Sequence, residues 1–142
     1  NIAAIVGGIG FGMLSQRIGR RRASMIAALL GVPVAFLWAF SSTAVLLAVG
    51  AILMQIAVQG AWGVVPAHLN ELSPSDSRGT FPGTVYQLGN LIASVNAVLQ
   101  TSVAERTGGN YSIALAAVAI CAALAISLCM KFGPEAKDVE MT

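Results

Sequence analysis

The chain has 142 residues, of which 56% are hydrophobic and 10% charged, with a formal net charge of +2 and a mean hydropathy of +0.79. A soluble domain carries about 25% charged residues, so water is not the main solvent here, and so small a charge implies no nucleic-acid partner. The apolar residues gather into runs of roughly 20, the length that crosses about 30 Å of hydrocarbon at 1.5 Å per residue.

Five spans are expected, over residues 1–14, 23–40, 43–66, 82–104 and 111–132. Each unsatisfied backbone group costs several kcal/mol in lipid, so only helices or closed barrels cross it. These runs are about twice as long as a barrel strand and lack its alternation. The expected fold class is an all-α integral membrane bundle of five transmembrane helices in contact with the lipid bilayer.

The first run starts at Asn1 without a charged leader or a cleavage site, so a truncated start and a missing N-terminal part are expected. Gly8 and Gly12 in this run stand at the spacing that lets two helices approach closely. The segment from Ser15 to Arg22 then carries Arg17, Arg20, Arg21 and Arg22.

The second span contains Pro33 and the third ends on Pro66, and each proline should kink or end its helix because it removes a backbone donor. Along the third span Gln55, Gln59 and Trp62 follow at i, i+4 and i+7, which is one helical face. Gly60 and Gly63 repeat the small-residue device of the first span. The segment 67–81 carries His68 and Arg78, and His68 falls at the end of its span rather than at mid-membrane, so a structural role is expected.

The fourth span is unusual in placing Gln87, Asn90, Ser94, Asn96, Gln100, Thr101 and Ser102 at membrane depth, where lone amides are costly. At about 100° per residue, Gln87, Asn90, Ser94 and Thr101 share a sector of roughly 60°, opposite a leucine- and valine-rich arc. Gln59 and Asn90 both lie about 10 to 12 Å inside the same boundary. Two readings stand open: the amides line a cavity, where they can bind a carboxylate or hydroxyl without burying a permanent charge, or they bond between helices as packing glue.

The fifth span holds Cys121 and Cys129, eight residues apart, and on a helix their Cα atoms are about 12 Å apart, beyond disulfide reach. A tail over 133–142 follows. Seven of the eight basic residues fall on the side of the four-Arg segment, the Arg78 segment and the C-terminus, which the positive-inside rule makes cytoplasmic. No Asp, Glu, Lys or Arg lies well inside a span, although intramembrane ionisable groups usually mark a proton relay or anion site. No Ser-His-Asp set, metal-ligand cluster or phosphate-cradling glycine loop is present, so no enzyme, metal or cofactor is expected.

The segment Gly12-Met13-Leu14-Ser15-Gln16-Arg17-Ile18-Gly19-Arg20-Arg21-Arg22 resembles the signature loop of the major facilitator superfamily, with Gln16 in the place of the acidic residue. The resemblance implies that the five spans match spans eight to twelve, the C-terminal part of that fold. A second stretch, Trp62 to Pro74 with Pro66, His68, Leu69, Glu71 and Leu72, followed by Arg78-Gly79-Thr80 and by Tyr86-Gln87-Leu88-Gly89-Asn90, is similar to the monocarboxylate (lactate and pyruvate) and sialate proton symporters.

That resemblance implies proton-coupled transport of a small organic anion by alternating access, in the plasma (inner) membrane and with a cytoplasmic C-terminus. The residues acting on substrate would be Gln87 and Asn90, which match a Gln and an Asn implicated in recognition, with Gln59, Gln55 and Ser94 beside them. A cytoplasmic gate would comprise Arg17, Arg20, Arg21, Glu71 and Arg78, with Arg17, Arg20 or Arg21 paired to Glu71. The coupling residues and a substrate-binding cation would lie in the missing part. The alternatives are a facilitator for sialate, an aromatic acid or a sugar, and, in another class, a non-transporting sensor or assembly protein.

Overall fold

The computed structural model describes residues 1–135, so the tail expected over 133–142, with Lys137, lies largely outside the described residues. Seven helices occur among them: α1 (Ile2–Ile18), α2 (Arg20–Ala39), α3 (Ala44–Trp62), α4 (Val65–Leu72), α5 (Phe81–Ala93), α6 (Asn96–Arg106) and α7 (Tyr111–Phe132). α2 and α3 form the centre; α1 packs on both, α7 packs on α2, α6 lies on α7, and α5 touches α4.

The helices are punctuated by local chemistry. Thr43 caps α3 by accepting the Leu46 N–H at 3.3 Å, and Asn110 caps α7 by accepting from Ser112 and Ile113. The expected four-Arg loop is mostly helical: Gly19 alone, with φ of 97°, separates α1 from α2, and Arg20, Arg21 and Arg22 form the first turn of α2. Pro33 lies inside α2, which continues through it to Ala39.

Two runs expected as single spans are interrupted. Pro66 brings no N–H to the Trp62 carbonyl, and the run divides into α3 and α4 at Gly63 and Val64. The run over 82–104 divides into α5 and α6 at Ser94 and Val95. Both residues keep right-handed helical dihedrals, so this break is a kink. The Ser94 hydroxyl donates to the Leu91 carbonyl at 2.7 Å and competes with the helical ladder. Among the described residues, three segments are long and apolar enough to cross a membrane: Arg20–Ala39, Ala44–Leu72 and Tyr111–Phe132.

The packing is inverted relative to a water-soluble protein. Its buried apolar core is mostly alanine (Ala23, Ala27, Ala35, Ala57, Ala114 and others), while Ile2, Leu91, Ile92, Val98 and Phe132 are 68% or more exposed. Lipid tails are as apolar as leucine, so nothing drives large side chains inward; helices associate by the close approach that small residues permit. The glycine faces of α1 and α3 meet each other. A Cβ on Gly7 would lie 2.5 Å from the Ile56 carbonyl oxygen, and one on Gly63 would collide with the backbone of Gly8. An added carbon on Gly8 or Gly12 would make only ordinary van der Waals contact, so the crossing is tightest where Gly7 meets Ile56 and where Gly63 meets the Gly8 backbone.

Adding a methyl at that crossing forces backbone apart, an overpacking cost of about 1 to 3 kcal/mol. Gly7→Ala should therefore lower the midpoint of thermal unfolding in detergent. Gly10→Ala, with nothing within 4 Å of its added carbon, should leave it unchanged or slightly raised. Equal midpoints for the two variants would remove the close crossing from the account.

Candidate functional site

Charged groups converge where α1 turns into α2. The Arg20 guanidinium engages Glu71 of α4 side-on, with Nε 3.1 and 3.0 Å from the two carboxylate oxygens and Nη2 2.6 Å from Oε1. Its Nη1 donates to Ser15 Oγ at 2.6 Å, and that hydroxyl donates to the Gly12 carbonyl at 2.7 Å. Turning the Gln16 amide so that its oxygen faces Arg20 adds two contacts of 3.2 Å. Both ion-pair side chains are only 9% exposed. A pair so far out of water is favourable only when the geometry is good and the remaining donors are satisfied, and the planar fork of Arg meets that condition where a Lys would not.

Arg21 takes another partner. Its Nε donates to the Met130 carbonyl at 2.5 Å and its Nη2 to the Lys131 carbonyl, at the C-terminal end of α7 where a helix carries partial negative charge. Arg17 is exposed in the last turn of α1, and Arg78 is half-buried in the turn after α4. Of the expected gate residues, Arg20 is thus the one joined to Glu71, while Arg21 ties α2 to α7.

Glu135 belongs to the same cluster and was not singled out from the sequence. Its carboxylate accepts the backbone N–H of Arg20 at 3.0 Å and that of Arg21 at 3.4 Å, so it caps the start of α2 from beyond the end of α7. A carboxylate suits that position because unpaired N–H groups and the helix dipole favour negative charge there, and three arginines in the first turn would otherwise oppose the dipole. The available signal was an acid three residues beyond the last apolar run, on the same side of the membrane as the arginines.

The amides are distributed differently from expectation. Asn90 borders a cleft of roughly 400 Å3 between the end of α3, the start of α4 and α5, together with Trp62, Pro66, Pro82 and Tyr86. Gln87 lies in a separate open depression with Thr84, Leu88 and Leu91, although its Oε1 accepts from Asn90 Nδ2 at 3.4 Å. Gln55 and Gln59 are half-buried on α3 and do not line the cleft. Trp62, the last residue of their face, does, at the end of α3 where the chain turns into α4. Ser94 donates to its own helix, and on α6 Gln100 bonds Asn96 and Thr101 bonds the Ala97 carbonyl.

Comparison with known proteins places this geometry in context. The model of the family described as "Sugar (and other) transporter" matches residues 1–138. The chain is 36% identical over 107 residues to the "Carboxylic acid transporter protein homolog" of Saccharomyces cerevisiae, covering 75% of this chain and 17% of that protein. It is 34% identical over 118 residues to the "Glucose transporter GlcP" of Staphylococcus epidermidis, covering 82% of this chain and 26% of that one. To the "Galactose-proton symporter" of Escherichia coli K12 it is 32% identical over 105 residues, 74% of this chain and 22% of that one. The chain thus spans about a quarter or less of the length of these curated relatives.

Removing an N-terminal cap typically costs about 1 kcal/mol. Glu135→Ala should lower the unfolding midpoint of the intact protein in detergent, and Glu105→Ala, at an exposed position near the end of α6, should not. No difference between them would show that the Glu135 bonds to the start of α2 add no stability.

Proposed function

Because the chain belongs to the Sugar (and other) transporter family, whose members are multi-pass membrane proteins, we propose that it forms spans eight to twelve of a transporter that carries a small monocarboxylate, such as lactate or pyruvate, with a proton by alternating access. The Arg-rich end, the Arg78 turn and the C-terminus face the cytoplasm of the plasma membrane in this reading, and the partner half of the transporter supplies the coupling groups. The relative named as a carboxylic acid transporter homolog supports the acid, and the one named as a galactose-proton symporter supports the proton.

The observation that carries the mechanism is the shielded Arg20–Glu71 pair. It joins the start of α2 to α4, the short helix that also forms a wall of the cleft beside Asn90. A latch of this kind holds the cytoplasmic helix ends together while the cavity faces outward and parts when it opens inward; halves of such proteins rock about a midplane site. The amide of Asn90 offers a donor to the carboxylate of the solute, and Gln87, whose Oε1 accepts from Asn90 Nδ2, orients that amide.

A sugar is the second reading, favoured by the relatives named for glucose and galactose. Counterflow of labelled lactate against unlabelled lactate, pyruvate, sialate and glucose in the intact protein separates the two. Exchange driven by glucose alone would exclude the acid.

Two further outcomes test the named residues. Glu71→Arg should abolish uptake, since breaking a buried pair costs about 3 to 5 kcal/mol, and Arg20→Glu in the same molecule should restore part of it. Rescue by Arg17→Glu or Arg21→Glu instead, or by none, would contradict the latch. Asn90→Ala should raise KM by about tenfold or more, the loss of a hydrogen bond to a charged group, and Gln87→Ala should raise it less, both with little change in thermal stability. Lowered stability with unchanged flux per folded molecule would make the amides packing glue.

A further inference from the structure

The cleft beside Asn90 is lined in part by an aromatic contact. Trp62, the last residue of α3, meets Tyr86 of α5 edge to face, with ring centroids 5.6 Å apart and planes at 67°. That is a favourable aromatic geometry, and it spans two elements that share no backbone ladder. Both residues line the cleft and are about half exposed, at 48% and 47%. Pro66 on α4 and Pro82 on α5 also line the cleft and are stiff. The rings are the largest side chains on the wall.

We propose that Trp62 and Tyr86 set the size limit of the transported acid: the carboxylate lies at the amide of Asn90 and the hydrocarbon body runs toward the ring pair, which stops it. This rests on the carboxylate reading above and adds to it the shape of the acid. The volume of roughly 400 Å3 is at the lower end of ligand cavities, which span about 300 to 1,000 Å3. Apart from the Asn90 amide, the indole N–H and the phenol, the side chains on its lining are apolar, Val65, Leu69 and Val85 among them, which suits a solute with a hydrocarbon body. A sugar needs a partner for each hydroxyl it buries, and each one left unpaired costs about 1 to 3 kcal/mol. Removing either ring lengthens the cleft along α5 and admits more carbon.

The experiment compares competing acids in the intact protein in cells that lack other acid carriers. Labelled lactate uptake is challenged with unlabelled lactate, hexanoate and benzoate, for the parent, Trp62→Ala, Trp62→Phe and Tyr86→Ala, each normalised to surface protein. Added methylenes in a fitted apolar pocket discriminate by about 10- to 200-fold. The ratio of inhibition by hexanoate or benzoate to inhibition by lactate should therefore rise about tenfold in Trp62→Ala and in Tyr86→Ala, and less in Trp62→Phe, which keeps a ring. Because the rings act as one stop, Tyr86→Ala reads the same ratio should Trp62→Ala fail to reach the surface. A ratio unchanged in both alanine variants, with lactate still carried, overturns the proposal and leaves the carboxylate reading standing. A parent protein that does not carry lactate at all overturns the carboxylate reading and this proposal with it.

Discussion

Pro66 brings no N–H to the carbonyl of Trp62, and the arrangement around it follows from that missing donor. The apolar run from Ala44 to Leu72 would otherwise continue as one helix; it stops at Trp62 and resumes at Val65 as α4. α4 then carries Glu71 to Arg20 and presents Pro66 and Leu69 to α5, while Trp62 is left at the rim of the cleft. One covalent constraint thus places both the charged contact and the wall beside Asn90. An uninterrupted helix would have continued the face of Gln55 and Gln59 toward the following turn.

The charged end shows how a membrane chain concentrates its polar chemistry. Arg20, Arg21, Glu71 and Glu135 bind one another's side chains and backbone across α2, α4, α7 and the segment after it. Each carboxylate answers a different need. Glu71 balances a guanidinium that is almost out of water, and Glu135 balances the start of a helix whose first turn is wholly basic. The α5–α6 run holds a different kind of group: amides and hydroxyls, several of which bond within their own helix, as Ser94, Thr101 and Gln100 do. Such local bonds lower the cost of polar atoms away from water.

Asn90 stands apart from those residues because it adjoins a cleft rather than only its own helix. The expected common face from Gln87 to Thr101 divides for two reasons. Gln87 and Asn90 border different depressions, and the kink at Ser94 and Val95 separates α5 from α6. A 100° wheel treats a span as straight, and Ser94, which donates back to Leu91, is the residue at which that approximation ends.

What the sequence determined by itself follows from solvent and covalent chemistry. The length and polarity of the runs require helices, because hydrocarbon offers no partner for a backbone N–H; Pro66 marks a place where a helix can kink or end, and the spacing of small residues on the first and third spans marks faces able to meet closely. The joining of those two faces to each other, the selection of Arg20 over Arg17 and Arg21 as the partner of Glu71, the capping role of Glu135 and the pairing of Trp62 with Tyr86 were decided only in three dimensions. Each is a contact between residues distant along the chain, and its existence depends on helix rotation and offset. Those are set by the fit of small side chains between helices, to which composition and periodicity along one helix are blind.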